Sequence, residues 1–196
     1  MADQATQRWR VWRRADLRAS PWRNGGGITY EIAVGPETGT MQDFDWRVSV
    51  AEIDAPGPFS TFTGVDRIIA LIDGPAMFLT VDGTRRDLAL LDQLAFAGDS
   101  DTVCDIPRGR TRDLNVMTRR GSVDASLEFV EVRSDRQYRI EAPTVLLGIS
   151  GRVDVQAPTE VSLAPLDGLE FATAQQVLVA GAGVLAAVRV SPCASR

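Results

Sequence analysis

Apolar and polar residues alternate with a period of two along most of this chain. The alternation is clear at residues 28–34, 46–50 and 112–117, and turn-forming combinations such as Asp73-Gly74-Pro75 and Asp82-Gly83 separate such segments. Strict alternation is typical of strands with one buried face, and many short strands at close intervals indicate an all-β barrel or sandwich. The best candidate for a longer strand lies at residues 123–132.

A short motif occurs twice in the chain. Residues 91–96, Leu-Asp-Gln-Leu-Ala-Phe, return at 166–171 as Leu-Asp-Gly-Leu-Glu-Phe, an offset of 75 residues. An apolar turn precedes each copy, at residues 71–74 and 148–151. Two related β units in one chain are therefore predicted. Since the second half is poorer in arginine and aromatic residues, any site is expected in the first half.

Three glycines, residues 25–27, stand between Asn24 and the alternating segment at 28–34. Such a run suits a tight bend into a strand or a loop whose backbone contacts a ligand, and the residues leave both interpretations open. A phosphate-binding loop is disfavoured, because a strand pattern follows the glycines where that loop requires a helix.

The sequence contains no histidine. This removes the usual neutral-pH general base and the commonest metal ligand. Cys104 and Cys193 lie far apart and lack the spacing of a metal finger. We therefore expect no metal and no other cofactor, and the remaining chemistry, from carboxylates, arginine, tyrosine and backbone groups, favours a binding role.

Composition narrows the classes of partner. The chain has 196 residues, 44% hydrophobic content and a net charge of -5, with its basic residues scattered. We expect one globular protein that binds no nucleic acid. No apolar run is long enough to span a membrane, and two distant cysteines suit a reducing compartment, so a cytoplasmic protein without membrane contact is predicted. Self-association is left open.

Three predicted strands each carry polar residues on one face: Thr29 with Glu31, Arg47 with Ser49, and Asp113 with Asn115. If these faces lie inside, they form a cavity with Arg47 as its cation and neighbouring hydrogen-bonding groups that include Asn24. A buried arginine fits a carboxylate in bidentate fashion. The alternative is a solvent-exposed face on which Glu31 and Arg47 form an ordinary cross-strand pair.

A loop rich in glycine and proline, residues 56–66, adds aromatic groups to this picture. It carries Phe59 and Phe62, and Arg67 opens the apolar strand that follows. Loop aromatics beside an arginine suit a cover over a small planar acid. The alternative is a hydrophobic plug beneath a long loop.

Four blocks of this sequence together resemble the HutD/Ves family. They are Pro-Trp-Arg-Asn-Gly-Gly-Gly-Ile-Thr-Tyr-Glu at 21–31, Trp-Arg-Val-Ser-Val-Ala at 46–51, residues 57–67 from Gly-Pro-Phe-Ser to Gly-Val-Asp-Arg, and Asp-Leu-Asn-Val-Met at 113–117. The resemblance implies a bicupin, an all-β cupin-like fold of two β-barrel halves. We place the halves at residues 1–120 and 121–196 and leave open whether strands are exchanged between them.

The family also implies a function. Its members are associated with histidine-utilisation genes and are regarded as regulators that sequester a pathway acid such as urocanate or a formylated glutamate derivative. Cupins usually hold a metal through histidines, and this chain departs from that pattern. The resemblance favours an interior polar face and implies a ligand site in the first half. Its residues are Asn24, Thr29, Glu31, Arg47, Ser49, Phe59, Phe62, Arg67 and Asn115.

Two functional hypotheses follow. The first is a metal-free regulatory protein that binds a small carboxylate. The second is a metal-independent isomerase or lyase with Glu31 as base, assisted by Tyr30 or Arg47. Because a nearby Arg47 would lower the pKa of Glu31, the base would be weak, and binding is favoured.

Overall fold

The computed structural model describes residues 9–36, 43–141, 143–157 and 159–193. Within these ranges the chain forms seventeen β-strands and one short 3₁₀ helix, Arg14–Asp16, and no α-helix. The prediction of an all-β protein is confirmed. None of the helices in the described part of the chain is long and apolar enough to cross a membrane.

The strands are numbered along the chain. They are β1 Trp9–Trp12, β2 Ala19–Pro21, β3 Gly27–Gly35, β4 Trp46–Ile53, β5 Gly57–Pro58, β6 Val65–Asp73, β7 Met77–Val81, β8 Thr84–Leu88, β9 Gln93–Ala97, β10 Thr102–Asp105, β11 Thr111–Arg119, β12 Val123–Val132, β13 Arg136–Ile140, β14 Thr144–Gln156, β15 Glu160–Leu163, β16 Gly168–Phe171 and β17 Gln175–Pro192.

The chain divides into two compact units. Unit 1 consists of Met1–Leu17 and Ala125–Ser191, and unit 2 consists of Arg18–Asp124 and Pro192–Arg196. The boundary after residue 120 stays a prediction, and the exchange of strands between the halves stays open.

Unit 2 holds two antiparallel sheets, ordered β2-β3-β4-β11-β6-β9 and β5-β10-β7-β8. Its main apolar cluster takes residues from both sheets, including Ile53, Ile69 and Leu79, each of which is fully buried. Every residue of β4 is buried, because this strand lies in the middle of the larger sheet. Burial of side chains of this size stabilises the fold by about 1.5 to 3 kcal/mol each.

A β-bulge interrupts β3. Glu31 pairs with Ser49 of β4 and Ala33 pairs with Val48, so Ile32 is the extra residue. Since one extra residue reverses the facing of all that follow, Val34 lies on the same face as Glu31. The sequence pattern placed Val34 with Ile32 on the opposite face, and this part of the prediction is wrong.

Unit 1 is a seven-stranded antiparallel sheet. Its main path is β1-β16-β14-β17-β12, with β13 paired to β17 and β15 paired to β14. Its core is an apolar cluster that includes Phe171, Leu146, Leu163 and Val179. The long strand predicted at residues 123–132 is confirmed as β12.

The repeated motif forms the same turn in both units. In unit 2 the Leu91 N–H donates to the Leu71 carbonyl at 2.8 Å, and the Leu71 N–H donates to the Asp92 carbonyl at 3.1 Å. In unit 1 Leu166 and Gly148 make the matching bond at 2.8 Å. Both leucines have φ of 69°. The two copies therefore occupy equivalent places in their units, which confirms the predicted internal repeat.

None of the sheets closes on itself in the ranges that the structure describes. The larger sheet of unit 2 has β2 and β9 as its edges, and the smaller has β5 and β8. The expectation of closed barrels is corrected to open sheets arranged as in a jelly roll. Alternation predicts which face of a strand is buried, but closure depends on pairing between edges that the pattern does not specify.

Candidate ligand-binding cavity

Unit 2 contains a cavity of about 540 Å³, a volume that suits a small molecule. Eight of the nine residues predicted from sequence line it: Asn24, Thr29, Arg47, Ser49, Phe59, Phe62, Arg67 and Asn115. The other lining residues are Ser20, Pro21, Trp22, Arg23, Ala51, Pro58, Ser60, Asp113 and Met117. The ninth predicted residue, Glu31, is not part of the lining but forms an ion pair with Arg47.

The strand register explains why these side chains meet. Ser49 of β4 stands opposite Asn115 of β11, and Arg47 stands opposite Met117. On the other side of β11, Met117 stands opposite Arg67 of β6. Since opposite residues share a face, all five point to the same side of the sheet. Arg47, Ser49 and Asn115 are buried, so the prediction that this face lies inside is confirmed.

Arg47 is held by Glu31 from the edge of the site. The Nε atom of Arg47 donates to Glu31 Oε2 at 3.0 Å. The Arg47 side chain is 5% exposed, whereas that of Glu31 is 43% exposed. The predicted interior position of Glu31 is corrected to a partly exposed one, because water reaches the carboxylate that neutralises the buried arginine.

Arg67 is the second buried cation of the cavity, and aromatic rings surround it. Its guanidinium carbon lies 5.3 Å from the Phe59 ring centroid, 5.6 Å from that of Phe62 and 5.2 Å from that of Phe96. Cation–π contacts of this kind hold a guanidinium in place. Phe59 and Phe62, predicted as a cover over the ligand, are thus also contacts of the arginine.

The charge of Arg67 is poorly compensated. Its Nη1 donates to the Ser60 carbonyl at 3.4 Å, and its Nε is buried without a hydrogen-bond partner. Desolvation lowers the pKa of Arg67 to about 10, the charge of Asp113 opposes this shift, and the charge of Arg47 adds to it. At neutral pH the group still carries its charge, so the cavity presents a cation in need of an anion.

Asp113 is one of the lining residues outside the nine predicted for the site, although the sequence places it on one face with Asn115. It is 2% exposed and lines the cavity, and its Oδ1 has no hydrogen-bond partner. Desolvation raises the pKa of Asp113 to about 7, while the charge of Arg67 and a backbone hydrogen bond from Ala51 act in the opposite direction. The sequence carried a signal for this residue, because Asp113 stands two positions from Asn115 on the same strand and therefore shares its face.

The glycine run lies against two residues of the cavity lining, Asn24 and Trp22. A Cβ on Gly27 would lie 2.4 Å from the Glu52 carbonyl oxygen and 3.2 Å from the Trp22 ring. The run is therefore a tight bend that packs against β4 and an indole. Trp22, also missed from sequence, donates from Nε1 to Thr29 Oγ1 at 2.8 Å, which leaves the Thr29 hydroxyl proton free to point elsewhere.

The cavity does not fit a histidine-based metal site. The sequence has no histidine, and Asp113 is the one carboxylate among the described residues that line the cavity. Across the described ranges, no group of three or more His, Cys, Asp or Glu side chains is placed to hold a metal ion.

Comparisons with known proteins agree on one family. The model of the family described as HutD matches residues 14–187. An uncharacterized 21.2 kDa protein of the hutC 3' region of Pseudomonas putida is 38% identical over 144 residues, which is 73% of this chain and 75% of that protein. Protein Ves of Citrobacter koseri is 38% identical over 121 residues, 59% of this chain and 62% of that protein.

Solved structures show the same relationship. The structure of HutD from Pseudomonas fluorescens SBW25 superposes with a TM-score of 0.81 at 34% identity and covers 94% of this chain and 98% of that one. A cupin 2 conserved barrel domain protein from Leptotrichia buccalis superposes with a TM-score of 0.59 at 8% identity, over 85% of this chain and 88% of that one. The second likeness concerns the fold alone and confirms its cupin-like character.

Proposed function

Because this chain belongs to the HutD family, we propose that the cavity of unit 2 binds a small carboxylate and that the protein is a metal-free regulator of histidine utilisation. In this role it sequesters a pathway acid such as urocanate or a formylglutamate-like compound. The position of the Pseudomonas putida relative in the hutC 3' region supports the link to that pathway.

The buried Arg67 carries the proposal. A guanidinium removed from water, with Nε unpaired, costs free energy unless an anion approaches it. A carboxylate matches its planar fork and would supply the missing acceptor. The rings of Phe59, Phe62 and Phe96 fix the guanidinium beforehand, so little further ordering is needed on binding.

The rest of the lining supports an anionic ligand. Three arginines line the cavity, Arg23, Arg47 and Arg67, against the single carboxylate of Asp113. Ser49 and Thr29 add hydroxyl groups, and a fixed indole edge lies beside them. Such a surface recognises a carboxylate at one end of a ligand and planar apolar atoms along its body.

Ligand-linked thermal stabilisation tests the proposal. A ligand that binds only the folded state, at about 100 times its Kd, stabilises by roughly 2.7 kcal/mol, which for a chain of this size raises Tm by about 5 to 10 °C. We expect this shift with urocanate or N-formylglutamate and its loss in Arg67→Gln. Arg86→Gln, which removes a positive charge from an exposed residue outside the cavity, is the matched control and should keep the shift.

Two results would overturn the proposal. One is the absence of a shift with every histidine-pathway acid at millimolar concentration. The other is chemical conversion of a bound acid, followed by NMR, which would replace sequestration with catalysis. If Arg67→Gln fails to fold, Arg67→Lys keeps the charge but removes the bidentate fork, and it should weaken binding without abolishing it.

A further inference from the structure

We propose that Asp113 and Asn115 form a second recognition point in this cavity, which selects carboxylates that also carry an N–H group. The inference rests on the proposed function and narrows its ligand class. It assigns the arginines to the carboxylate of the ligand and the two β11 side chains to a hydrogen-bond donor elsewhere on the same molecule.

Unpaired acceptors are the first observation. Asp113 Oδ1 and Asn115 Oδ1 are both buried without a hydrogen-bond partner, and both residues line the cavity. They stand two positions apart on β11 and therefore project from the same face of the sheet. Buried oxygens in native proteins are almost always paired, so two neighbouring exceptions at a cavity wall call for a donor from the ligand.

Unit 1 supplies the second observation, because it shows the same fold without these groups. The repeated turn aligns β6 with β14, and the strand pairing then aligns β11 with β17. In this alignment Asp113 corresponds to Leu185 and Asn115 to Ala187. Both of these residues lie in the apolar core of unit 1, at 1% and 0% exposure. The fold itself thus has no need of polar groups at these two positions.

The chemistry of the two side chains defines the ligand. Above about pH 7, where Asp113 is ionised, its carboxylate has no proton to donate and can only accept, so an N–H is the natural complement. An acid without such a group would bind at the arginines but leave the Asp113 oxygen unpaired, which costs affinity. Azole carboxylates and N-acylated amino acids are two classes of ligand that satisfy both ends.

A matched pair of ligands tests this inference on the native protein. Urocanate carries an imidazole N–H, and 3-(furan-3-yl)acrylate keeps the planar ring and the acrylate but has no N–H. Titration calorimetry at pH 8, where Asp113 is ionised and free imidazole neutral, should give urocanate a Kd lower by about 10- to 100-fold, as expected for a hydrogen bond to a charged group.

Substitutions on β11 then identify the side chains that discriminate between the two acids. Asp113→Ala and Asn115→Ala should each reduce the urocanate-to-furan ratio while both acids still bind at the arginines. Thr111→Val is the matched control, because Thr111 Oγ1 is also buried and unpaired on β11 but Thr111 does not line the cavity. This variant should keep the full ratio. Asn115→Ala serves alone if Asp113→Ala does not fold.

The outcomes separate this inference from the proposed function. Equal affinity for the two acids in the native protein would overturn the inference and leave carboxylate binding intact. A full ratio in both alanine variants would overturn the assignment to Asp113 and Asn115. Binding of neither acid, together with no response to any other pathway acid, would overturn the proposed function and the inference with it.

Discussion

Replacing Asp113 by asparagine should stabilise this protein at alkaline pH and leave its stability unchanged in acid. The substitution removes a buried ionisable group and keeps its shape. Burial is the main reason that the pKa of Asp113 rises to about 7, so the folded protein favours the protonated acid, whereas the unfolded chain ionises it at an ordinary pKa. The folded state must therefore accommodate an unfavourable charge above neutral pH.

The sign and the size of this change in the free energy of unfolding follow from the linkage between proton binding and folding. A raised carboxyl pKa contributes stability that is fully present below the unfolded value of 3.8 and is lost as pH rises through about 7. Each pKa unit corresponds to about 1.4 kcal/mol, so the loss approaches 4 kcal/mol as an upper bound. Asp113→Asn lacks this loss. Its advantage over the native chain should be near zero at pH 4 and should grow to as much as about 4 kcal/mol at pH 8.

Urea denaturation between pH 4 and pH 8, without added acids, measures the difference directly. Arg67, whose pKa is lowered to about 10, keeps its charge over this range, and Cys104, whose pKa is raised to about 12, stays a thiol. Asp105→Asn, at an exposed position of β10, is the control and should follow the native pH dependence. Parallel curves for native protein and Asp113→Asn would refute the assignment of a raised pKa to this buried acid.

Three further outcomes are expected. Because Glu31 is the carboxylate that neutralises Arg47, whose side chain is 5% exposed, Glu31→Gln should lower the free energy of unfolding in urea by about 1 to 3 kcal/mol, and an unchanged value would show that the ion pair does not stabilise the fold. Gly27→Ala should lower Tm markedly, since its Cβ would lie 2.4 Å from a β4 carbonyl oxygen, and an unchanged Tm would contradict this packing. Burial raises the pKa of Cys104 to about 12. A thiol reagent at pH 8 should therefore label one cysteine in the folded protein and two in denaturant. Rapid labelling of both cysteines in the folded protein would contradict the burial of Cys104.

Much of the site could be predicted because its residues alternate in strands. Arg47 shares a face with Ser49, and Asp113 with Asn115, for a geometric reason, the period of two, and that reason holds before the fold is known. What the pattern alone left undecided was whether the face points inward. The structure answers this through β4 and β11, the two central strands of their sheet, where both faces are covered.

Other features depend on three-dimensional contacts that no local pattern carries. The bulge at Ile32 arises from the pairing of β3 with β4, so the alternation at residues 28–34 gave no sign of it. The role of Asp113 depends on Arg67, which lies on another strand, and on the burial of both. Trp22 joins the site because Gly27 lets its indole pack closely, a contact that becomes visible only in the folded bend.

The internal repeat allows the cavity residues of unit 2 to be compared with the residues at equivalent positions of unit 1. In the alignment of β6 with β14, Arg67 corresponds to Thr144 and Asp113 to Leu185, so unit 2 places charges where unit 1 has a small and an apolar side chain. Each buried polar atom left unpaired costs about 1 to 3 kcal/mol, and Arg67 and Asp113 each leave one. Unit 1 avoids this cost, because Leu185 belongs to its apolar core and the Thr144 hydroxyl donates to the Glu141 carbonyl. The unpaired atoms of Arg67 and Asp113 therefore lower the stability of the protein without a ligand. A ligand that pairs these atoms would recover that free energy as affinity.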